Sequence, residues 1–162
     1  MLAKNALRVL ALALVATACG GAAAVSKTPQ TGMTVSVRDV MGVGNVYTDA
    51  RGLSLYSPAQ EAGGKILCTG ACTNVWIPLA APASGSLTKA SDVKGTLSIV
   101  TRPDGTKQVA LNGAPLYRFF QDTAPGQVNG NGISDSFGTT SFTWHVLSGG
   151  AVKASPPGVP GY

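Results

Sequence analysis

Hydrophobic and polar positions alternate in short runs through the middle of this chain. Thr34-Val35-Ser36-Val37 alternates, and so does Leu97-Ser98-Ile99 before Val100. Gln108-Val109-Ala110-Leu111 follows after a turn sequence, Arg102-Pro103-Asp104-Gly105-Thr106. In that turn Pro fixes φ and Gly supplies the left-handed conformation, which predicts a β-hairpin. Asn112-Gly113 is a second tight-turn signal, leading into Leu116-Tyr117-Arg118-Phe119-Phe120. Phe142, Trp144 and Val146 fall on one face of a strand and Thr143, His145 and Leu147 on the other, because successive strand side chains point to opposite sides. Helical periodicity is nearly absent. Short strands with turns every 8–12 residues or so predict an all-β, antiparallel domain.

The pattern also occurs twice. Gly52-Leu53-Ser54-Leu55-Tyr56 matches Gly113-Ala114-Pro115-Leu116-Tyr117, a G-x-x-L-Y sequence repeated 61 residues later. Trp76-Ile77-Pro78-Leu79 follows the first copy and Trp144-His145-Val146-Leu147 the second. Two imperfect hairpin-based repeats can bury faces against each other that neither could bury alone, so the expected architecture is a small sandwich or barrel-like domain. Between the tyrosine and the tryptophan the copies differ. The first carries Cys68-Thr69-Gly70-Ala71-Cys72, and the second a glycine-rich loop from Asp122 to Gly132.

The ends of the chain read differently from the middle. Lys4 and Arg8 precede Val9–Ala18, an apolar run broken only by Thr17. Ten helical residues span about 15 Å, against a bilayer core of about 30 Å, so the run is a signal-peptide core and not a membrane span. It ends in Ala16-Thr17-Ala18-Cys19-Gly20, which resembles the lipobox at which bacterial prolipoproteins receive a diacylglyceryl group on the cysteine sulfur. Residues 1–18 are therefore expected to be removed and Cys19 to be acylated, palmitate being a typical chain. Residues 19–32 are small, polar and without periodicity, a flexible tether of roughly 20 Å r.m.s. span. Residues 148–162 are rich in Gly and Pro and form a loose tail. The folded domain is expected over 33–147.

Charge changes the picture little. Lys4 and Arg8 leave with the leader, so 10 of the 12 basic residues face 7 acidic ones. The remaining charges are scattered, with no basic stripe, which argues against a nucleic-acid partner. Membrane lipid is the partner implied by Cys19, together with an envelope protein or a small ligand. The expected place is the cell envelope, on the outer membrane if the host has one, facing the periplasm or exterior.

With Cys19 committed to lipid, Cys68 and Cys72 remain as an even pair in an oxidising compartment, where a structural disulfide is preferred. Gly70 lets the backbone turn tightly enough to join them. The competing reading is a copper or thiol-redox carrier in which Cys68, Cys72 and His145, the single histidine, hold a soft metal. No cofactor is assigned.

These residues carry a resemblance. Tyr117-x-Phe119-x-x-Asp122 fits the motif of a bacterial lipoprotein family with a conserved Yx(FWY)xxD pattern, described as a secreted repeat of unknown function. Gly52–Tyr56, Cys68–Cys72, Trp76–Leu79, Asp104–Val109, Asn112–Tyr117 and Asp122–Gly132 are similar to further pieces of that family's pattern. The resemblance implies an exported lipoprotein and no particular activity. The first copy departs from the motif, reading Tyr56-Ser57-Pro58-Ala59-Gln60-Glu61, so the motif's role is expected from the second copy.

Two roles compete for Tyr117, Phe119 and Asp122. In the preferred one, both aromatics pack on one strand face and Asp122 accepts backbone N–H groups from the turn that follows. In the other, they form a binding platform beside a glycine loop. Asn129–Asp135 spaces oxygen groups as a calcium loop does, but without a terminal bidentate carboxylate, and reads as a plain loop. No nucleophile–base pair is legible from spacing. The preferred function is a non-enzymatic binding or interaction module. A hydrolase with a site near the second motif is kept as an alternative, beside the copper or redox carrier.

Overall fold

The computed structural model describes residues 32–149. The leader, Cys19, the tether up to residue 31 and the tail from residue 150 lie outside the described residues. Within them the chain is nearly all β and antiparallel. β1 (Ser36–Val40) and β2 (Gly44–Thr48) form a hairpin. β3 (Tyr56–Pro58) leads through a 3₁₀ turn, Ala59–Glu61, and a one-turn helix α1 (Cys72–Val75) into β4 (Trp76–Pro78). β5 (Leu97–Thr101) and β6 (Lys107–Leu111) form the hairpin expected around the Pro-Asp-Gly turn, with Leu97 opposite Leu111. β7 (Ala114–Pro115), β8 (Tyr117–Phe119), β9 (Ser134–Phe137) and β10 (Thr140–Val146) complete the domain. No helix among the described residues is long and apolar enough to cross a membrane.

The central sheet has the order β4-β8-β3-β10-β9 and curls into a half-barrel. That order interleaves the repeats. β3 belongs to the first copy yet pairs with β8 and β10 of the second, and β8 belongs to the second yet pairs with β4 of the first. Tyr56 and Tyr117, the equivalent tyrosines, sit opposite each other where β3 meets β8. Trp76 opposes Phe119 just as Trp144 opposes Pro58.

Backbone bonds carry the same relation. In one half Tyr47 N–H donates to Leu147 O (2.8 Å), Leu55 N–H to Tyr47 O (2.9 Å) and Leu147 N–H to Leu55 O (2.9 Å). In the other, Val109 N–H donates to Leu79 O (2.8 Å), Leu116 N–H to Val109 O (2.9 Å) and Leu79 N–H to Leu116 O (2.8 Å). These are the same three bonds, and in each set the closing strand comes from the other repeat. Each copy leaves a strand edge whose N–H and C=O groups need partners, and each fills the other's edge.

Two apolar clusters result. One gathers Val40, Val46, Tyr56, Trp76, Tyr117, Phe119, Phe142, Trp144 and Val146 with both cysteines. The other gathers Val35, Val37, Tyr47, Leu55, Val93, Val109, Leu111 and Leu116. Neighbours in sequence, such as Leu116 and Tyr117, point into different clusters, as strand geometry requires. In β10, Phe142, Trp144 and Val146 are buried while His145 is exposed. Ser148 makes a further bridge to Val46 beyond the end of that strand.

Candidate functional site

The motif residues occupy the middle of the central sheet. Because β3 and β8 run antiparallel through Tyr56 and Tyr117, each tyrosine reaches past the other toward the far repeat's acid. Tyr56 donates its hydroxyl to Asp122 Oδ2 (2.5 Å), and Tyr117 donates to Glu61 Oε2 (2.7 Å). Glu61 and Asp122 stand at the same place in the two copies, 61 residues apart. Each carboxylate uses its second oxygen to hold the loop that follows it. Asp122 Oδ1 accepts Asn129 N–H (3.0 Å), while Glu61 Oε1 accepts Leu67 and Cys68 N–H (2.6 Å each). The expected turn-capping role of Asp122 is therefore present, with a cross-repeat tyrosine added to it. The motif's role, expected from the second copy, is shared by the first. Glu61 has one more methylene than Asp122 and makes the same pair of contacts, while Pro58 fills the strand position that Phe119 fills in the other copy.

Both acids and both tyrosines are buried. Burial is the first reason that the Tyr56 and Tyr117 hydroxyls are pushed well above the ordinary tyrosine range, because the phenolate would lose its hydration. The neighbouring carboxylates, Asp122 and Glu61, push in the same direction. Tyr117 also lies under Arg102, whose guanidinium carbon is 6.0 Å from the ring centre and which partly offsets that rise. Arg102 is itself buried. It donates to Gln108 Oε1 (2.5 Å) and to Cys68 O (2.7 Å). Glu61 is the buried carboxylate on the other side of the Tyr117 hydroxyl, and Arg102 Nε also lies 3.9 Å from the exposed Asp104 carboxylate.

A second feature crosses the repeats. Trp76 and Trp144 stack with centroids 3.9 Å apart and planes 9° apart. Both indole N–H groups donate to one carboxylate, Trp76 to Asp135 Oδ2 (2.7 Å) and Trp144 to Asp135 Oδ1 (2.9 Å). Asp135, one of the oxygen groups in the calcium-like spacing, is thus committed to the tryptophans, and Asn131 Oδ1 accepts Val146 N–H (3.1 Å). Nothing in the local sequence signals this clamp, because the three residues meet only after the repeats interleave.

Cys68 and Cys72 form a buried disulfide with Cα atoms 5.3 Å apart. His145 projects from the exposed side of β10, and no group of three or more His, Cys, Asp or Glu side chains among the described residues could hold a metal. The copper-carrier trio is not brought together. Tyr117 and Phe119, buried in the larger cluster, offer no open platform. The two acids there are occupied by tyrosine and backbone donors.

The open chemistry lies on the other side of the motif strand. Arg118, between Tyr117 and Phe119, faces a groove of about 420 Å³ whose walls include Met33, Asp49, Arg51, Leu79, Pro82 and Arg118. Asp49 is buried at the start of a tight turn. Its Oδ1 accepts Arg51 N–H (2.9 Å) and Leu53 N–H (3.0 Å), and Gly52 closes the turn with φ +82°. Its Oδ2 stands 3.4 Å from Arg51 Nε and 3.8 Å from Arg118 Nε. Arg38 brings a third guanidinium against Gly52, where an added Cβ would lie 3.4 Å from Arg38 Nη2. The sequence reading missed this cluster. Arg118 is far from Arg51 in the chain, and the two approach the same Asp49 carboxylate only in the folded domain.

No curated protein and no solved structure matches the chain. Residues 98–148 match the model of a family described as a secreted repeat of unknown function, the family that the motifs resemble.

Proposed function

We propose that this chain is an exported, lipid-anchored envelope protein whose duplicated domain is a non-enzymatic binding module. The observation that carries the reading is the internal pairing of Tyr56 with Asp122 and of Tyr117 with Glu61. The side chains with the most chemistry to offer are spent on holding the repeats together. What faces solvent is a groove with guanidinium groups on a rigid strand and turn, an arrangement suited to binding. The description of the matched family as secreted supports export. The lipobox-like sequence ending at Cys19 supports the anchor, and several acyl chains on one residue hold a protein to a bilayer where one chain is marginal.

The anchor is tested on the full chain expressed in a bacterium fed an alkyne-bearing palmitate. Wild type should carry the label and need detergent for release, and Cys19→Ala should lose the label and leave the membrane without detergent. Release of unlabelled wild type by a salt wash refutes the anchor. The non-enzymatic half is tested with ester, amide and glycoside substrates, where turnover abolished by Asp122→Asn in a still-folded protein refutes it.

A further inference from the structure

The Asp49 turn has a charge surplus and unmet hydrogen-bonding capacity in the same place. Asp49 faces Arg51 and Arg118, and Arg38 packs on the same turn through Gly52. Two guanidinium groups thus meet one carboxylate, and a third lies beside the same turn. Arg118 Nε, on a side chain that lines the groove, is buried without a hydrogen-bond partner among the described residues. Buried donors are almost always satisfied, and an unpaired guanidinium N–H asks for a partner of opposite charge. At 3.8 Å, Arg118 Nε is too far from Asp49 for a good hydrogen bond, so the acid orients the guanidinium without saturating it. Arg118 is held on both sides, by β3 and β4 across β8, so its position is fixed before any ligand arrives.

We infer that the groove beside Arg118 is a site for a small oxyanion, a carboxylate or phosphate group on a ligand with a short apolar body. Arginine suits this chemistry because its planar fork of N–H donors matches the two oxygens of such a group. Arg118 supplies the preorganised contact. Arg51, whose side chain is 63% exposed, supplies a second guanidinium that can swing onto the ligand. Leu79, Pro82 and Met33 line the groove for the apolar body, and its volume falls within the range of small-molecule sites. Asp49 keeps the site from attracting every anion equally, because it repels ligands that approach its own oxygens. This inference rests on the binding-module reading and names the ligand class.

The test uses the full chain in a non-ionic detergent with ¹⁵N-labelled arginine, following the guanidinium Nε–H resonances by NMR. Acetate and inorganic phosphate are titrated separately against sodium chloride at matched ionic strength. A saturating shift of the Arg118 resonance with either anion, absent with chloride, is expected. Arg118→Gln should weaken binding at least tenfold, and Arg118→Lys should recover only part of it. Lys107→Gln, on the exposed end of the other hairpin, should change nothing. Circular dichroism checks that each variant is folded. A further arm replaces the salts with phosphatidylcholine vesicles with and without phosphatidylglycerol. A shift only with the anionic vesicles assigns the oxyanion to a lipid headgroup, and a shift with the free anions assigns it to a soluble ligand. Equal shifts with acetate, phosphate and chloride, no shift in any arm, or undiminished binding by folded Arg118→Gln would each overturn the site. None of those results touches the anchor or the absence of turnover, which are read on Cys19 and on substrates.

Discussion

The two tyrosine–acid pairs have the same wiring and different surroundings. Tyr117 bonds Glu61 inside a charged, covalently closed setting, where Arg102 reaches Gln108 and Cys68 O and the disulfide fixes the loop that Glu61 caps. Tyr56 bonds Asp122 in a setting with no such arginine contact and no cross-link among the described residues, where a glycine loop is pressed beneath aromatics. There Gly130 lies so close to Trp76 and Phe119 that a Cβ would stand 2.8 Å from Trp76 Cη2 and 3.0 Å from Phe119 Cγ. The comparison teaches that the repeat preserves a contact and not a loop. One side holds it by a bond and a buried ion, the other by close packing.

The largest difference should appear when the acids are removed. Glu61→Ala strips a partner from two backbone N–H groups and from the Tyr117 hydroxyl, which also touches buried Arg102 (3.4 Å), and leaves Arg102 only its exposed partner Asp104. Breaking a buried charged network of this kind costs about 3–5 kcal/mol. Asp122→Ala strips one tyrosine and one backbone N–H and strands no cation, which points to about 1–3 kcal/mol. Urea unfolding of both variants measures the gap. Equal losses would mean that Arg102 does not depend on Glu61, and that the two pairs are energetically alike.

Next come the loops themselves. Replacing Cys68 and Cys72 by Ala opens a closed loop of five residues, worth about 2 kcal/mol by the chain-entropy formula. Gly130→Ala overpacks Trp76 and Phe119 for about 1–3 kcal/mol. Hydrogen exchange should separate them. The cysteine variant should loosen Leu67 and Cys68 N–H, and Gly130→Ala should loosen Asn129 N–H. If either change loosens both loops alike, the two sides are coupled more tightly than their separate partners suggest.

Much of this was legible in the chain. The hairpin at Asp104-Gly105 follows from turn chemistry, the alternation in β10 from strand geometry, and the Cys68–Cys72 bridge from spacing and compartment. The shift of 61 residues that aligns Tyr56 with Tyr117 also aligns Glu61 with Asp122, and that retained acid was the available sign that both copies work. Strand exchange was not legible. An alternating pattern says which face is buried and not which strand lies alongside, so β3 could have paired within its own repeat on pattern alone. The Asp135 clamp and the burial of Arg102 were hidden for the same reason. Each joins residues far apart in sequence, and a charged residue in a turn normally reads as solvated.

The smallest effect is the one that treats the two pairs most evenly. A tyrosine whose hydroxyl is harder to ionise in the folded protein than in the unfolded chain binds its proton more tightly when folded. Its contribution is fully present below the unfolded value of 10.0 and is lost as pH rises past it. Half a unit above that value each such tyrosine removes about 0.8 kcal/mol, and further up each removes about 1.4 kcal/mol per pH unit. The stability of wild type should therefore fall through pH 10–11 in urea titrations. Tyr56→Phe and Tyr117→Phe should each lower the starting stability and also flatten that fall, and the double variant should flatten it most. Arg102 at Tyr117 and the Gly130 backbone at Tyr56 each offset part of the rise, and both hydroxyls keep their protons in the folded protein over this range, so the two single variants should flatten the fall equally. A slope left unchanged by both substitutions would assign the alkaline loss to other groups. It would leave the tyrosine–acid pairs as hydrogen bonds with no proton linkage to folding.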